Sequence, residues 1–358
     1  MEAKPVIIIG HSLIGHLLAY RLKMVRPDLP VKLIETSGGI SSWSFRDCEV
    51  DEEAINWLKP LISLRSQEHV VAIEEQERIL TSPMSTILAP QFETRIARIL
   101  GADLVRKSEP AIELLQDEAS LIIDTRVSAY QKVKCSRKVF GAVVELKQQH
   151  GFQAPVLMDS RVRQKELIRY MKYIPLDEFT LLVQDIRFSE DMLMDAPVLE
   201  EELLWEVRKR WQIKDVLHFE SSFVAIPAGV KTPWSQGKVL DLSGVVNLIS
   251  GDELPDAIKL IDQMIRTSFR MGELKEVIQR YHQEKSERRF SRILRKMLFH
   301  STHPSQRLQI LQYFFKLPEP TLEKFIRGKI SFLDVAMAVI GNPPLPLMKA
   351  MPLSFKNV

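Results

Sequence analysis

The first forty residues follow the order strand, helix, strand. Val6–Ile9 is a continuous apolar run, typical of a parallel strand that is covered on both faces. A turn at 10–15 leads into a helical pattern that ends before Pro27, because proline cannot continue a helix. Val31–Glu35 has the pattern of a second strand. Together these segments predict a β-α-β unit of the dinucleotide-binding type, with the acid Glu35 at the end of its second strand.

The turn of this unit carries most of the residue types that bind a pyrophosphate. Gly10 permits the tight turn, Gly15 lets the helix pack on the strand, and the helix amino terminus offers free N–H groups. Glu35 would accept hydrogen bonds from a ribose. Ser12, however, takes the place of the middle glycine, where its Cβ would meet the phosphate. These residues leave two interpretations open, a dinucleotide site and a β-α-β unit that binds no nucleotide.

The rest of the chain changes from mixed to sheet-like to helical. Residues 91–100 predict an amphipathic helix and 119–124 a buried strand that ends at Asp124. Weak period-2 alternation then predicts a mostly antiparallel sheet over 140–190. The strand candidates in it are 143–146, 154–158, 167–173 and 179–183, and the later helix candidates are 255–270, 272–298 and 305–315.

The order of these elements predicts three parts. The first is a discontinuous dinucleotide-binding domain, formed by 1–130 together with 235–275. A substrate-facing sheet at 131–234 interrupts it, and a helical region at 276–358 follows. The predicted fold class is therefore α/β, with a Rossmann-type domain, an inserted antiparallel sheet and a helical carboxyl-terminal region.

Composition narrows the classes of function. The chain has 358 residues, 45% of them hydrophobic and 27% charged, as in an ordinary globular protein. Its formal net charge of +3 gives no strong field for nucleic acid. Cys48 and Cys135 cannot form a disulfide scaffold or a four-thiolate zinc site, so we expect reduced structural thiols. His11, His16 and the other scattered histidines fit no metal-binding motif, and we expect them to be surface or packing residues.

The sequence also bears on where the protein works. No apolar run is long enough to span a bilayer, and the amino terminus lacks a secretory pattern, so we expect a cytoplasmic protein. Basic residues interleaved with apolar ones at 285–316 fit either peripheral contact with the inner face of an anionic membrane or the solvated face of a packed helix. Neither the oligomeric state nor a protein partner follows from the sequence.

Short motifs along the whole chain resemble the bacterial lycopene β-cyclases, flavoproteins of carotenoid synthesis. The resemblance begins with Arg-Pro-Asp-Leu at 26–29, Leu-Ile-Glu at 33–35 and Trp-Ser-Phe at 43–45. It is strongest near the end, at Arg-Lys-Met-Leu-Phe (295–299) and Gly-Asn-Pro-Pro-Leu-Pro (341–346). Further matches lie at 124, 130–131, 150–151, 155–159, 174–176, 254–257 and 317–319.

This resemblance implies a glutathione-reductase-like FAD fold and FAD as cofactor. The residues that would contact FAD are Gly10, Ser12, Gly15, Glu35, Asp124 and Gly251. The enzymes of this family close the ends of lycopene, an apolar polyene drawn from the membrane, into β-rings without net redox change. The implied chemistry is protonation of a terminal alkene, cyclisation of the cation and loss of a proton. It needs a carboxylic acid kept protonated by an apolar pocket, and negative charge, for which reduced flavin is the candidate, to stabilise the cation.

The chain departs from the family at positions that carry this chemistry. Gln184 stands where the family has a glutamate, and an amide cannot supply the proton of a carboxylic acid. The next residue, Asp185, is retained, but adjacent residues of a strand face opposite sides of a sheet. A second glycine-rich motif is here Asp-Thr-Arg-Val at 124–127, and the late flavin-contacting stretch at 247–252 is also altered.

Two hypotheses follow. In the first, the chain is a cyclase-like isomerase in which Asp185 or Asp159 replaces the missing acid. In the second, it is a catalytically degenerate relative that binds a lipid, a carotenoid or a protein partner. Because Ser12 and Val127 crowd the expected cofactor path, we expect weak FAD binding. With Gln184 at the acid position, we also expect negligible cyclisation of lycopene.

Overall fold

A computed structural model describes residues 4–106, 110–126, 133–164, 168–191, 193–227, 235–242, 254–283, 302–303, 306–326, 345 and 348. Its strands are β1 (Val6–Ile9), β2 (Val31–Glu35), β3 (Trp43–Arg46), β4 (Leu64–Ser66), β5 (His69–Ile73), β6 (Gln76–Leu80), β7 (Met84–Ile87), β8 (Leu104–Arg106), β9 (Leu121–Asp124), β10 (Val133–Leu146), β11 (Val156–Asp159), β12 (Ile168–Pro175), β13 (Thr180–Ser189), β14 (Ile213–Pro227), β15 (Ser235–Gln236) and β16 (Val239–Asp241). Its α-helices are α1 (Leu13–Val25), α2 (Glu52–Leu58), α3 (Ala89–Leu100), α4 (Ile112–Leu115), α5 (Ala196–Arg208), α6 (Leu254–Ile265), α7 (Met271–Gln283), α8 (Arg307–Phe315) and α9 (Glu319–Ile326).

The predicted β-α-β unit forms the centre of a six-stranded sheet with the order β15-β16-β9-β1-β2-β8. β1 pairs in parallel with β2 on one side and with β9 on the other. All four residues of β1 are buried, which explains why its sequence is an uninterrupted apolar run. β16 pairs in parallel with β9, so the chain returns to this sheet after the residues of the seven-stranded sheet.

A second sheet has seven strands in the order β14-β10-β13-β12-β11-β5-β6. Its antiparallel centre matches the strands predicted between 140 and 190, but β10 and β14 are much longer than the sequence pattern predicts. The sheet also recruits β5 and β6 from the first part of the chain, with β5 parallel to β11. A third, three-stranded sheet joins β3, β7 and β4.

The two faces of the seven-stranded sheet are covered by different helices. On one face, Leu199, Leu203 and Val207 of α5 pack against residues such as Val183. On the other face, apolar side chains of the sheet meet Ile310 and Phe314 of α8 and Leu322 of α9. We call this second face the α8 face; its sheet residues include Val139, Ile168, Ile186 and Phe188. The side chains of adjacent residues of β13 therefore lie in two different environments, one beside α5 and the other beside α8 and α9.

The helices after 254 only partly match the predicted ones. α6 ends at Ile265, before the predicted end at 270, and α7 covers Met271–Gln283, while the rest of the predicted helix, 284–298, lies outside the described residues. Both helices pack on the nucleotide unit. Most of the basic segment at 285–316 lies outside the described residues. Within it, Arg307 is buried, so it does not belong to an exposed basic surface as the sequence analysis expected. Within the described parts of the chain, every helix is too short or too polar to cross a lipid bilayer.

Candidate functional site

The turn after β1 is held closed by Thr125, the residue that follows β9. Ser12 caps α1 by accepting a hydrogen bond from the Gly15 N–H at 3.2 Å, and its hydroxyl donates to Thr125 Oγ1 at 2.7 Å. Thr125 Oγ1 in turn donates to the Ile9 carbonyl at 2.9 Å. Gly10 has a φ of +128°, and a Cβ on it would lie 2.5 Å from Thr125 Oγ1. Only glycine fits there, which confirms the tight turn, while the Ser12 hydroxyl is committed to protein partners.

The ribose-binding candidate, Glu35, has two protein partners. His16 Nε2 lies 2.8 Å from Glu35 Oε1, and Arg106 Nε donates to Glu35 Oε2 at 2.9 Å. The bond from His16, helped by that from Arg106, outweighs burial and lowers the pKa of Glu35 to about 2. His16, in the first turn of α1, is fully buried, as expected of a packing residue, and it also forms this bond to Glu35.

The backbone of this region fits a dinucleotide, but its side chains leave less room than usual. Gly10, Ser12 and Gly15 stand at the start of α1 and Glu35 at the end of the adjacent strand, as predicted. The Arg106 side chain is 80% exposed, so a ribose could displace it from Glu35 without unpacking the core. Among the other predicted cofactor residues, Asp124 lies at the end of β9 and binds Arg126, whose guanidinium donates to it at 2.7 Å. Gly251 and Val127 lie outside the described residues.

Asp185 is not a free acid. Its carboxylate is fully buried on the α5 face of the sheet between two arginines, with Arg169 Nη2 at 2.7 Å and Arg187 Nη2 at 2.6 Å. The two guanidinium groups compensate the buried charge of this carboxylate. As strand alternation predicts, Asp185 points away from Gln184, whose amide lies on the opposite face. These contacts argue against the expectation that Asp185 replaces the missing acid.

Asp159 fails as a replacement for a similar reason. Its oxygens accept hydrogen bonds from Arg161 Nε at 2.8 Å and from Arg210 Nη2 at 2.9 Å. Burial alone would raise the pKa of Asp159, but the hydrogen bonds from the two arginines outweigh it and lower the pKa. An ionised carboxylate with two cationic partners holds loops together and has no proton to give.

The residue at the family's acid position belongs to a polar row on the α8 face. Lys172, Gln184, Gly141 and Glu220 are paired in register across β12, β13, β10 and β14. Paired residues in neighbouring strands point to the same face, so the side chains of this row share one environment. Gln184 is 1% exposed and Glu220 is 5% exposed. We call these four residues the polar row.

Gly141 lets the two longer side chains of the row meet. A Cβ at this position would lie 2.9 Å from Glu220 Cγ and 3.1 Å from Gln184 Cγ. Without a side chain between them, Gln184 Nε2 donates to Glu220 Oε1 at 2.5 Å. The sheet therefore places an acid directly beside the amide that stands at the family's acid position.

The loop after β2 covers this acid–amide pair. Ser42 donates its N–H to Glu220 Oε1 at 3.0 Å, and its hydroxyl lies 2.5 Å from Glu220 Oε2. Gly39 passes so close to β14 that a Cβ on it would lie 2.3 Å from the Ser221 carbonyl oxygen. The loop is the continuation of the strand that ends at Glu35. It therefore connects the nucleotide unit directly to the polar row.

Burial raises the pKa of Glu220, against the opposing effects of its Ser42 and Gln184 hydrogen bonds and of the Lys172 charge. The direction of this shift is the one that the implied chemistry requires. The sequence analysis missed Glu220. The signal available was an acid between aromatic and small residues in His-Phe-Glu-Ser-Ser at 218–222, but that pattern does not reveal which strand lies beside it.

Comparison with known proteins places these features in context. The family described as "Lycopene cyclase protein" matches residues 5–351 of the chain. The lycopene β-cyclase of Pseudescherichia vulneris is 29% identical, covering 97% of this chain and 96% of the relative. Those of Paracoccus sp. and Pantoea ananas are 27% and 25% identical over the same shares of each chain.

Solved structures agree on the fold. A geranylgeranyl bacteriochlorophyll reductase-like protein from Thermoplasma acidophilum aligns with a TM-score of 0.56 at 12% identity, covering 99% of this chain and 100% of the other. A flavin-dependent halogenase from Xanthomonas campestris aligns with the same TM-score at 10% identity, covering 99% and 96%. The α/β architecture with its parallel nucleotide sheet is thus the FAD-binding Rossmann-type fold that the sequence predicts.

The ion pairs of Glu35 make the stability of the protein depend on pH. Its folded-state pKa of about 2 lies below the ordinary 4.5, so its contribution is present above pH 4.5 and is lost as the pH falls toward 2. We expect Glu35→Gln to lower the free energy of unfolding at pH 7 by roughly 2–3 kcal/mol. Urea unfolding at pH 7 and at about pH 3 measures this, and the difference between the wild type and the variant should be smaller at the lower pH. A difference independent of pH would contradict the assignment.

The buried arginines around Asp185 predict a structural role for it. Asp185→Asn leaves Arg169 and Arg187 with a neutral partner, and we expect a loss of about 3–5 kcal/mol in urea unfolding. Asp103→Asn is the matched control, because Asp103 is half-exposed and pairs with Lys23 at the surface, and it should cost less than about 1 kcal/mol. If Asp185→Asn is as stable as wild type but inactive, the structural role is contradicted and Asp185 is again the candidate acid.

Proposed function

Since the chain belongs to the lycopene cyclase family, we propose that it is a cyclase-like isomerase that closes the ends of an apolar carotenoid by acid catalysis without net redox change. The observation that carries this proposal is the contact of the loop after β2 with the polar row. Ser42 on that loop donates to Glu220, so the nucleotide unit and the inserted sheet meet at one buried polar position. A cofactor on the first unit and a substrate on the sheet would also meet there.

The surroundings of the polar row suit an apolar polyene. In the next row of the α8 face, Val139 and Ile186 pair in register with Ser222 and Tyr170, and Phe188 and Ile168 follow one row further. Most of these side chains are apolar; the basic residues of the same face include Arg137, which pairs in register with Phe188, and Lys172 of the polar row. A carbocation formed beside the apolar side chains would persist long enough to cyclise, because water is kept away from it.

The residues that would hold FAD are Gly10, Gly15 and the amino terminus of α1 for the pyrophosphate, and Glu35 for the ribose. When bound and reduced, the flavin would supply negative charge that stabilises a carbocation. The protein's own part is to bind and orient the substrate, exclude water and hold the proton. Because the Ser12 hydroxyl and the Glu35 carboxylate already have protein partners, we propose that FAD is held weakly.

Gln184 favours a second candidate. A chain that has lost the family's glutamate could be a degenerate relative that binds a carotenoid or lipid without reacting it. The sequence alone did not favour the active cyclase over this candidate, and it led to the expectation of negligible lycopene cyclisation. We now favour the enzyme, because the polar row contains a buried carboxyl group that the sequence analysis did not find.

Expression in cells that accumulate lycopene tests the proposed activity. We expect pigment chromatography to show lycopene converted to products with one or two β-rings, because the site keeps a protonatable acid in an apolar environment. The matched control is the same cell with an empty vector. Lycopene that remains unchanged, in the presence of abundant folded protein, would support the degenerate relative instead.

Titration of the purified protein with FAD tests the cofactor proposal. We expect weak quenching of flavin fluorescence for the wild type and a lower Kd for Ser12→Gly, because a glycine there removes the Cβ that faces the pyrophosphate path. Ser120→Gly, an exposed position at the other end of β9, is the control and should leave Kd unchanged. Stoichiometric flavin retained by the wild type through purification would contradict weak binding.

A further inference from the structure

We propose that Glu220 is the proton donor of this site, and that it has taken over from position 184 through direct contact with the Gln184 side chain. This inference rests on the proposed function. It assigns the acid to β14 instead of β13, while keeping the proton at nearly the same place on the α8 face. The contact between Gln184 Nε2 and Glu220 Oε1, at 2.5 Å above Gly141, is what joins the two positions.

The other carboxylates of the sheet do not compete for this role. Asp185 and Asp159 each form ion pairs with two arginines. Glu206 and Glu202, on α5, face Arg169 and Arg187 on the opposite side of the sheet. Glu220 has no arginine partner among the contacts of the described residues; its neighbours are a serine, an amide and the more distant Lys172.

The hydrogen bonds of Glu220 show where its proton lies. Oε1 receives two donors, the Ser42 N–H and the Gln184 amide, neither of which can accept a proton in return. Oε2 accepts from the Ser42 hydroxyl at 2.5 Å, and the oxygen of that hydroxyl accepts from the Ala89 N–H at 2.9 Å and has a second lone pair. When Glu220 takes up a proton, Oε2 is therefore the oxygen that carries it, and this hydrogen bond reverses so that Glu220 donates to Ser42 Oγ. Oε1 keeps two donors ready for the carboxylate that remains after proton transfer.

The proton transfer then balances without an external reactant. The π pair of the terminal alkene takes the proton from Glu220 Oε2, so that a C–H bond forms, the O–H bond breaks, and a carbocation and a carboxylate result. The π pair of a second alkene closes the ring by forming a C–C bond to the cationic carbon. Loss of a proton from the carbon next to the new cation restores a double bond. That proton can return to Glu220, so the product is an isomer of the substrate and the acid is regenerated.

Exchanging the acid and the amide tests this assignment. Glu220→Gln keeps the shape of the side chain but removes the proton, and we expect product formation to fall by about 100-fold or more. The double variant Glu220→Gln/Gln184→Glu keeps one acid and one amide above Gly141, and we expect it to regain at least about tenfold over the single variant. Glu145→Gln, on β10 but paired with the exposed Lys214, is the matched control and should keep wild-type activity.

Thermal unfolding of each variant shows that loss of product does not come from loss of folded protein. If Glu220→Gln is folded and still as active as wild type, the proposal is overturned. If the single variant is inactive and the exchanged pair recovers, the acid has been shown to work from either side of Gly141.

A readout independent of activity separates this proposal from the proposed function. In protein labelled with ¹³C at the glutamate carboxyl carbon, the Glu220 resonance is assigned by its absence from Glu220→Gln. We expect it at the chemical shift of a neutral carboxylic acid at pH 7. If the wild type does not cyclise lycopene, the proposed function fails, but a neutral Glu220 would still support an acid at this place. A carboxylate shift at pH 7 would overturn the assignment, whatever the activity.

Discussion

The close approach of two side chains above a glycine is the contact on which the proposed chemistry depends. Gly141 provides the space in which Glu220 and Gln184 meet, and any larger residue would separate them. Ser42 closes the same space from the nucleotide unit. Removing a carboxyl group from water raises its pKa, because the charged form loses more hydration than the neutral form. A single position without a side chain thus allows a buried acid to sit at the junction of the two large sheets.

Burial has a different consequence for Asp185 and Asp159, the two residues that the sequence analysis considered as replacements for the missing acid. Asp185 and Asp159 are as deeply buried as Glu220, yet each faces two guanidinium groups. Those partners compensate the buried charge, so both residues hold parts of the fold together through ion pairs. Burial alone therefore does not identify a proton donor in this sheet; the absence of a cationic partner at hydrogen-bond distance, among the described contacts, distinguishes Glu220.

In the β-α-β unit, too, groups that could bind a ligand form hydrogen bonds within the protein. His16 and Arg106 hold Glu35, and Thr125 closes the turn over Gly10. These contacts keep the β-α-β unit rigid, but they occupy groups that a dinucleotide would use. FAD would have to compete with these internal hydrogen bonds, which is the physical basis for the weak FAD binding that we propose.

Sequence reasoning succeeded where the determining contacts are local. The unit from β1 to β2 was predicted because apolar run, turn and amphipathic helix are contiguous, and strand alternation correctly separated Gln184 from Asp185. It failed at Glu220, because the pairing of β10 with β14 joins residues about eighty positions apart, and a register shift of one residue would turn Glu220 to the other face. The recruitment of β5 to the inserted sheet was missed for the same reason.

A crystal structure of the protein with a bound, unreactive carotenoid tests the central claim most directly. We expect one end of the polyene on the α8 face, with its terminal alkene carbons about 3–3.5 Å from a carboxyl oxygen of Glu220, the distance at which a proton can be transferred. The rest of the chain should lie along the apolar rows that contain Ile186 and Phe188. A polyene end bound on the α5 face beside Asp185, or near Asp159, would contradict the account.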